Sequence, residues 1–421
     1  MAEKTVLPSG IRVVTEKIPF SHVVSVGFWI NAGSRDEEPA REGITHFLEH
    51  MLFKGTKRRT TKEIAKELDA LGGYSNAFTT KENLCIYGKV LDKHLPRLID
   101  VFQDILLESC FDSEELDRER QVIIQEINMI EDSPEDYIHT LFCEKFWAGH
   151  PLGHPVCGYK SSVLSMSRED LLSFKDSIIH PEQLVITAAG NVDHDQFIGL
   201  VEPALGNLKP NGQSRTQRSC PKRNVFREAI FKKLEQLHIC IGTQGVSLKD
   251  PSRFLAYVFN MVLGNSMSSR LFQEVREKRG LAYSIYSFLN IYEDTGMFGI
   301  YAAVEPSKAD ELLQVVINEL EKIRSNGISE SELSRAKDCF VGSLYLNMDG
   351  TDAYMNRLAK NEIVHGRDIP PEEIEAQILA ISLDDMSQWL RSLPLIDDLS
   401  MLLLGPIRNK DFDKLIRLLQ S

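Results

Sequence analysis

One series of local patterns occurs twice along this chain, and that repetition limits what it can fold into more than any single motif does. In the first half, strand-like alternation at Thr5–Glu16 and Val23–Asn31 is followed by helical periodicity at Ile44–Phe53 and Thr61–Leu71. A hairpin pattern comes next, Tyr74–Thr80 and Leu84–Val90 around Lys81-Glu82-Asn83, then two long amphipathic stretches, Leu95–Glu108 and Ser113–Glu131. In the second half Gly33, Pro39 and His46 recur at equal spacing as Gly245, Pro251 and Val258, and the hairpin recurs as Leu281–Leu289 and Gly296–Val304. The run Ser113-Glu114-Glu115-Leu116-Asp117-Arg118 recurs as Glu330-Ser331-Glu332-Leu333-Ser334-Arg335. A chain of 421 residues also exceeds the usual size of one hydrophobic core. The expected fold class is therefore α+β, a tandem repeat of two homologous units, each a mainly antiparallel sheet packed with helices. The polar, turn-rich stretch Asn207–Asn224 sets the expected division: a domain at 1–210, a linker at 211–224 and a degenerate copy at 225–421.

The two copies differ in chemistry. The first contains His46-Phe47-Leu48-Glu49-His50, in the H-x-x-E-H order. Two imidazoles four apart lie on one helical face and can converge on a single metal ion. Glu49, on the flank of that face, can take a proton from water at the metal. Composition alone gives about 0.04 such matches in a chain like this. In the repeat, His46, Glu49 and His50 fall opposite Val258, Met261 and Val262, so one Zn2+ per chain is expected. A catalytic zinc usually takes three protein ligands. Glu119 and Glu126 lie seven apart on one face of the stretch Ser113–Glu131, with Val122 and Ile123 between them, which reads as a largely buried face. Buried carboxylates are costly unless paired or bound to a cation. Their counterparts are Ala336 and Ser343. A solvated acidic face accounts for these two residues equally well.

The net charge of −13 argues against a nucleic-acid-binding surface. No apolar run is long enough to cross a bilayer, and the first residues lack the apolar core of a secretory signal, so no membrane partner is expected. Seven scattered cysteines, never in a C-x-x-C pair, fit reduced thiols and a cytoplasmic protein. The segment Gly149-His150-Pro151-Leu152-Gly153-His154-Pro155 offers two more histidines, but its prolines break a helix, and it reads as a structured loop rather than a second metal site.

The segment from His46 to Thr56 resembles the active-site segment of pitrilysin-type (inverzincin) zinc metallopeptidases. Within them it is most similar to the short, two-domain members like mitochondrial processing peptidase β subunits and bacterial processing-protease-like proteins. The resemblance implies Glu126 as the third metal ligand and Glu119 as an acid that orients the site. Gly72-Gly73-Tyr74-Ser75-Asn76-Ala77-Phe78-Thr79 resembles the family's substrate strand, which implies peptide binding at Asn76, Ala77 and Phe78 by main-chain pairing. The run from Ser268 to Tyr283 also matches, and the family's Arg/Tyr pair falls on Arg276 and Tyr283. The implied activity is that of a zinc-dependent endopeptidase with Glu49 as general base. It would cleave unfolded peptides or presequence-like segments inside a dimeric chamber. A homodimer is implied in which Arg276 and Tyr283 act in trans. Two alternatives share the fold: a non-catalytic structural or assembly subunit, and a specialised maturase working beside a site-less partner chain.

Overall fold

A computed structural model describes residues 2–209, 218–393 and 398–418. The chain opens with a hairpin of β1 (Ala2–Val6) and β2 (Arg12–Lys17), followed by β3 (Val23–Ile30). The single strand expected at Thr5–Glu16 is thus divided. Pro8 cannot donate to a ladder, and Gly10 turns the chain at φ +99°. Then come α1 (Ile44–Leu52), α2 (Thr61–Ala70), β4 (Tyr74–Thr79), β5 (Leu84–Leu91), α3 (Leu95–Glu108), α4 (Ser113–Asp132), α5 (Pro134–Phe146) and, later, β6 (Leu184–Gly190). The second half supplies β7 (Arg227–Phe231), β8 (Leu237–Gly245), β9 (Ala282–Ile291), β10 (Gly296–Val304) and β11 (Ser400–Gly405).

These strands make two sheets, ordered β1-β2-β6-β3-β5-β4 and β7-β11-β8-β10-β9. Apart from the extra edge strand β1, the orders correspond strand for strand. Each sheet is antiparallel except for one corresponding pair, β2 with β6 and β7 with β11. The repeat in the sequence is a repeat of topology, in an α+β fold.

Contacts divide the chain into two compact units that exchange segments: Asn347–Asp368 belongs with the first and Ile130–Gly149 with the second. The division at 210 and 225 does not anticipate this exchange, and residues 210–217 of that region lie outside the described residues. The cause is the sheets themselves. β3 is buried along nearly its whole length, so both faces of its sheet need an apolar cover. One face packs on α1, α3 and α4. On the other, Met355, Leu358 and Ala359 of the helix Thr351–His365 pack against Val14, Trp29, Cys85, Val185 and Ala189. In the second unit α5 does the same: Phe142 lies on β8, where a Cβ on Gly242 would come within 3.0 Å of its ring. Among the described residues no helix is long and apolar enough to cross a membrane.

Candidate metal centre

Phe47, Leu48, Met51 and Leu52 anchor α1 in the first unit's core, leaving His46, Glu49 and His50 along the helix's remaining surface. The two imidazole rings meet edge to face with centroids 4.7 Å apart. α4 buries Leu116, Glu119, Ile123 and Ile127. Glu126 is only partly covered, and of the two residues between the acids Ile123 is buried and Val122 exposed, so the face is buried on one side only. The stripe that packs inward follows 3–4 spacing through Glu119, Ile123 and Ile127, and Val122 falls outside it.

Across the gap between α1 and α4, His46 Nε2 lies 3.4 Å from Glu126 Oε2, and His50 Nε2 lies 3.7 Å from Glu126 Oε1. One donor atom from each residue fits within 4.8 Å of the others. Ligands held about 2.1 Å from a tetrahedral zinc stand about 3.4 Å apart, so this donor set suits the ion in both spacing and chemistry. Among the described residues, no other three His, Cys, Asp or Glu side chains converge in this way. The loop at His150 and His154 is structured: His150 Nδ1 accepts from the Leu152 amide at 3.1 Å, and the His154 carbonyl accepts from Lys81 Nζ.

Burial, and then the charge of neighbouring His50, push the His46 pKa down to about 4, which leaves its ring neutral. Burial acts on His50 in the same direction. There it is outweighed by the hydrogen bond to Glu119 and by the charges of Glu126, Glu119 and Glu49, and the net shift is upward. His50 Nδ1 donates to Glu119 Oε2 at 2.9 Å, and the other Glu119 oxygen pairs with Lys54 Nζ at 2.6 Å. Glu119 is 6% exposed, so these partners compensate its burial and keep its pKa low. They also fix the ring so that Nε2 faces Glu126. Glu49 points beside this cluster. Its Oε2 accepts from Thr79 Oγ1 at 2.5 Å, and burial raises its pKa.

Thr79 and Lys54 are contacts that reading the sequence missed. Strand alternation held the signal for Thr79: it lies two residues past Ala77, so both side chains share the face of β4 turned to α1. Asn76 and Phe78 fall on the opposite face. Phe78 packs edge-on against Trp29 with centroids 5.5 Å apart, and exposed Asn76 accepts from the Ala77 amide through Oδ1 at 2.9 Å. Among the described residues β4 has only β5 as a ladder neighbour and forms an open edge. Arg276 and Tyr283 lie in the second unit. Arg276 lies within a short π-helical stretch, Phe272–Glu277, and its guanidinium stacks 4.4 Å from the ring centroid of Tyr283, which is 80% exposed on β9. Val258 and Val262, the counterparts of His46 and His50, are buried apolar residues.

A repeated α+β unit with one His–His–Glu centre beneath an open strand edge defines a class of protein, and comparison with known families agrees. Residues 12–160 match the family described as Insulinase (Peptidase family M16), and residues 165–339 match the Peptidase M16 inactive domain. The chain is 39% identical to an uncharacterized zinc protease of Streptomyces coelicolor, over 98% of this chain and 91% of that one. It is 37% identical to the uncharacterized zinc protease YmxG of Bacillus subtilis, over 97% and 99% of the two chains. The crystal structure of a protease from Helicobacter pylori, at 21% identity, superposes with a TM-score of 0.89 over 96% of this chain and 99% of that one, and so shares the fold. The chain belongs to peptidase family M16.

Proposed function

We propose that this protein is a zinc-dependent endopeptidase acting on unfolded peptides. The observation that carries the reading is the convergence of His46, His50 and Glu126 with Glu49 held beside them by Thr79. Bound by those three residues, zinc would polarise the scissile carbonyl and lower the pKa of the attacking water toward ~7. Glu49 takes that water's proton and passes it to the leaving amine. The open edge of β4 at Asn76, Ala77 and Phe78 aligns an extended peptide by main-chain pairing, which favours unfolded segments over folded proteins. Tyr283 donates to the developing oxyanion and Arg276 holds substrate carbonyls, both from the partner subunit of a homodimer. Seven free cysteines fit a cytoplasmic site of action.

Purified protein should hold one zinc per chain and cleave a quenched unstructured peptide. Stripping the metal should abolish cleavage and added zinc should restore it. Undiminished cleavage by metal-free protein would overturn the reading. Thr79→Val removes the hydroxyl that steadies Glu49 and leaves every metal ligand in place. Loss of one such hydrogen bond, about 1.4 kcal/mol in the transition state, corresponds to a ~10-fold fall in kcat. Zinc content and KM should stay near wild type, and steady-state kinetics beside metal analysis separates the two.

A further inference from the structure

The two histidines of the candidate centre are held in different ways. Glu119 fixes the His50 ring through Nδ1. His46 Nδ1 is buried and has no hydrogen-bond partner among the described residues. Among the described residues no hydrogen bond orients the His46 ring through Nδ1, and its place depends on the backbone that carries it, the first turn of α1.

That turn is held by Glu37, a residue outside every motif considered above. Gly43, at the N-cap of α1, has no side chain to meet the helix's first amides. Glu37 meets them from outside: Oε2 accepts from the Gly43 amide at 2.8 Å and Oε1 from the Thr45 amide at 2.9 Å. Glu37 is 6% exposed. Burial pushes its pKa up to about 8, against the pull of the two amides, the Thr45 hydroxyl and Lys81. The segment before it is anchored by buried charges, with Arg35 paired to Glu82 at 2.6 Å and Asp36 to Arg218 at 2.6 Å. From the other side, the Cys157 carbonyl is so close to Gly43 that an added Cβ would lie 2.5 Å from it. The N-terminus of α1 is thus clamped at Gly43, three residues ahead of His46, between a fixed carboxyl group and a fixed carbonyl, and the same carboxyl group holds the Thr45 amide next to His46.

We infer that Glu37 is the positioning residue for His46, setting through the amides of Gly43 and Thr45 the backbone turn that presents the imidazole to the metal. Glu119 does this for His50 through the ring, and Glu37 does it for His46 through the helix end. The inference rests on the metal-centre reading above.

The test compares Glu37→Leu, which removes both acceptors, with Glu37→Gln, which keeps one. Zinc affinity is read by chelator competition on protein shown to be folded, coordination by the visible spectrum of the cobalt(II) form, and the clamp by hydrogen exchange at Thr45. Orienting partners of metal ligands are worth 10–100-fold in affinity, so Glu37→Leu should weaken zinc binding by about 10-fold or more and alter the cobalt spectrum. Glu37→Gln should fall between it and wild type, and Thr45 exchange should quicken in both. Wild-type affinity and spectrum in both variants, with only exchange or Tm changed, would make Glu37 a stability cap and overturn the inference. If Glu37→Leu does not fold, Glu37→Gln decides by the same readouts. Wild-type protein and His46→Ala run alongside: absence of zinc from wild type would overturn the metal-centre reading itself, whereas failure of the Glu37 inference leaves wild-type binding intact.

Discussion

Glu49→Gln should leave zinc bound at wild-type stoichiometry while peptide cleavage falls to near background. Glutamine has the same shape, and its amide oxygen can still accept from Thr79 Oγ1, so the local packing survives. His46, His50 and Glu126, which form the donor set, are untouched. What is lost is the ability to take a proton. A positioned general base is worth about 10²–10⁴-fold, and here one group both accepts the proton from water and returns it to the leaving amine. The expected result is a fall in kcat of at least ~10³-fold with little change in KM. Single-turnover kinetics with metal analysis on the same preparation checks both halves. Full turnover by a zinc-loaded Glu49→Gln protein would remove Glu49 from the chemistry.

The sequence discloses this centre unevenly, and local order is the reason. α1 and α3 lie where the apolar spacing puts them, because a helix that packs one stripe writes that stripe at 3–4 spacing. The H-x-x-E-H order is legible because its geometry is confined to one helix. Glu119 and Glu126 are ambiguous in sequence, since an acidic helix has many such pairs. The contacts of His50 and Lys54, about 70 residues earlier in the chain, single out Glu119, and the two histidines single out Glu126. Glu37 is invisible for a related reason: it caps a helix from outside, and ordinary capping signals sit at the N-cap, where this helix has glycine. The exchange of α5 and Thr351–His365 between units is invisible too. A sheet buried on both faces shows that two covers are needed, and does not show which helix supplies the second.

Mixed dimers should recover activity that neither parent has. Tyr283 is 80% exposed, with its ring stacked on Arg276, a large aromatic surface left open on β9. In the proposed homodimer this pair completes the partner's centre. Loss of one oxyanion donor costs about 10²–10³-fold, so Tyr283→Phe alone should be nearly inactive, as should Glu49→Gln alone. A dimer with one subunit of each kind has two different sites. One combines both lesions. The other joins an intact Glu49 with the intact Tyr283 of its neighbour, and in a twofold-symmetric assembly it should give about half of the wild-type rate per dimer. Purification through two different tags isolates the mixed species, and its rate on a quenched peptide is compared with both parents. If the pair acts within its own chain, neither site of the mixed dimer is whole, and its rate stays at the level of the parents, about 1% of wild type or less. That outcome, or full activity in a wild-type monomer, rejects action in trans.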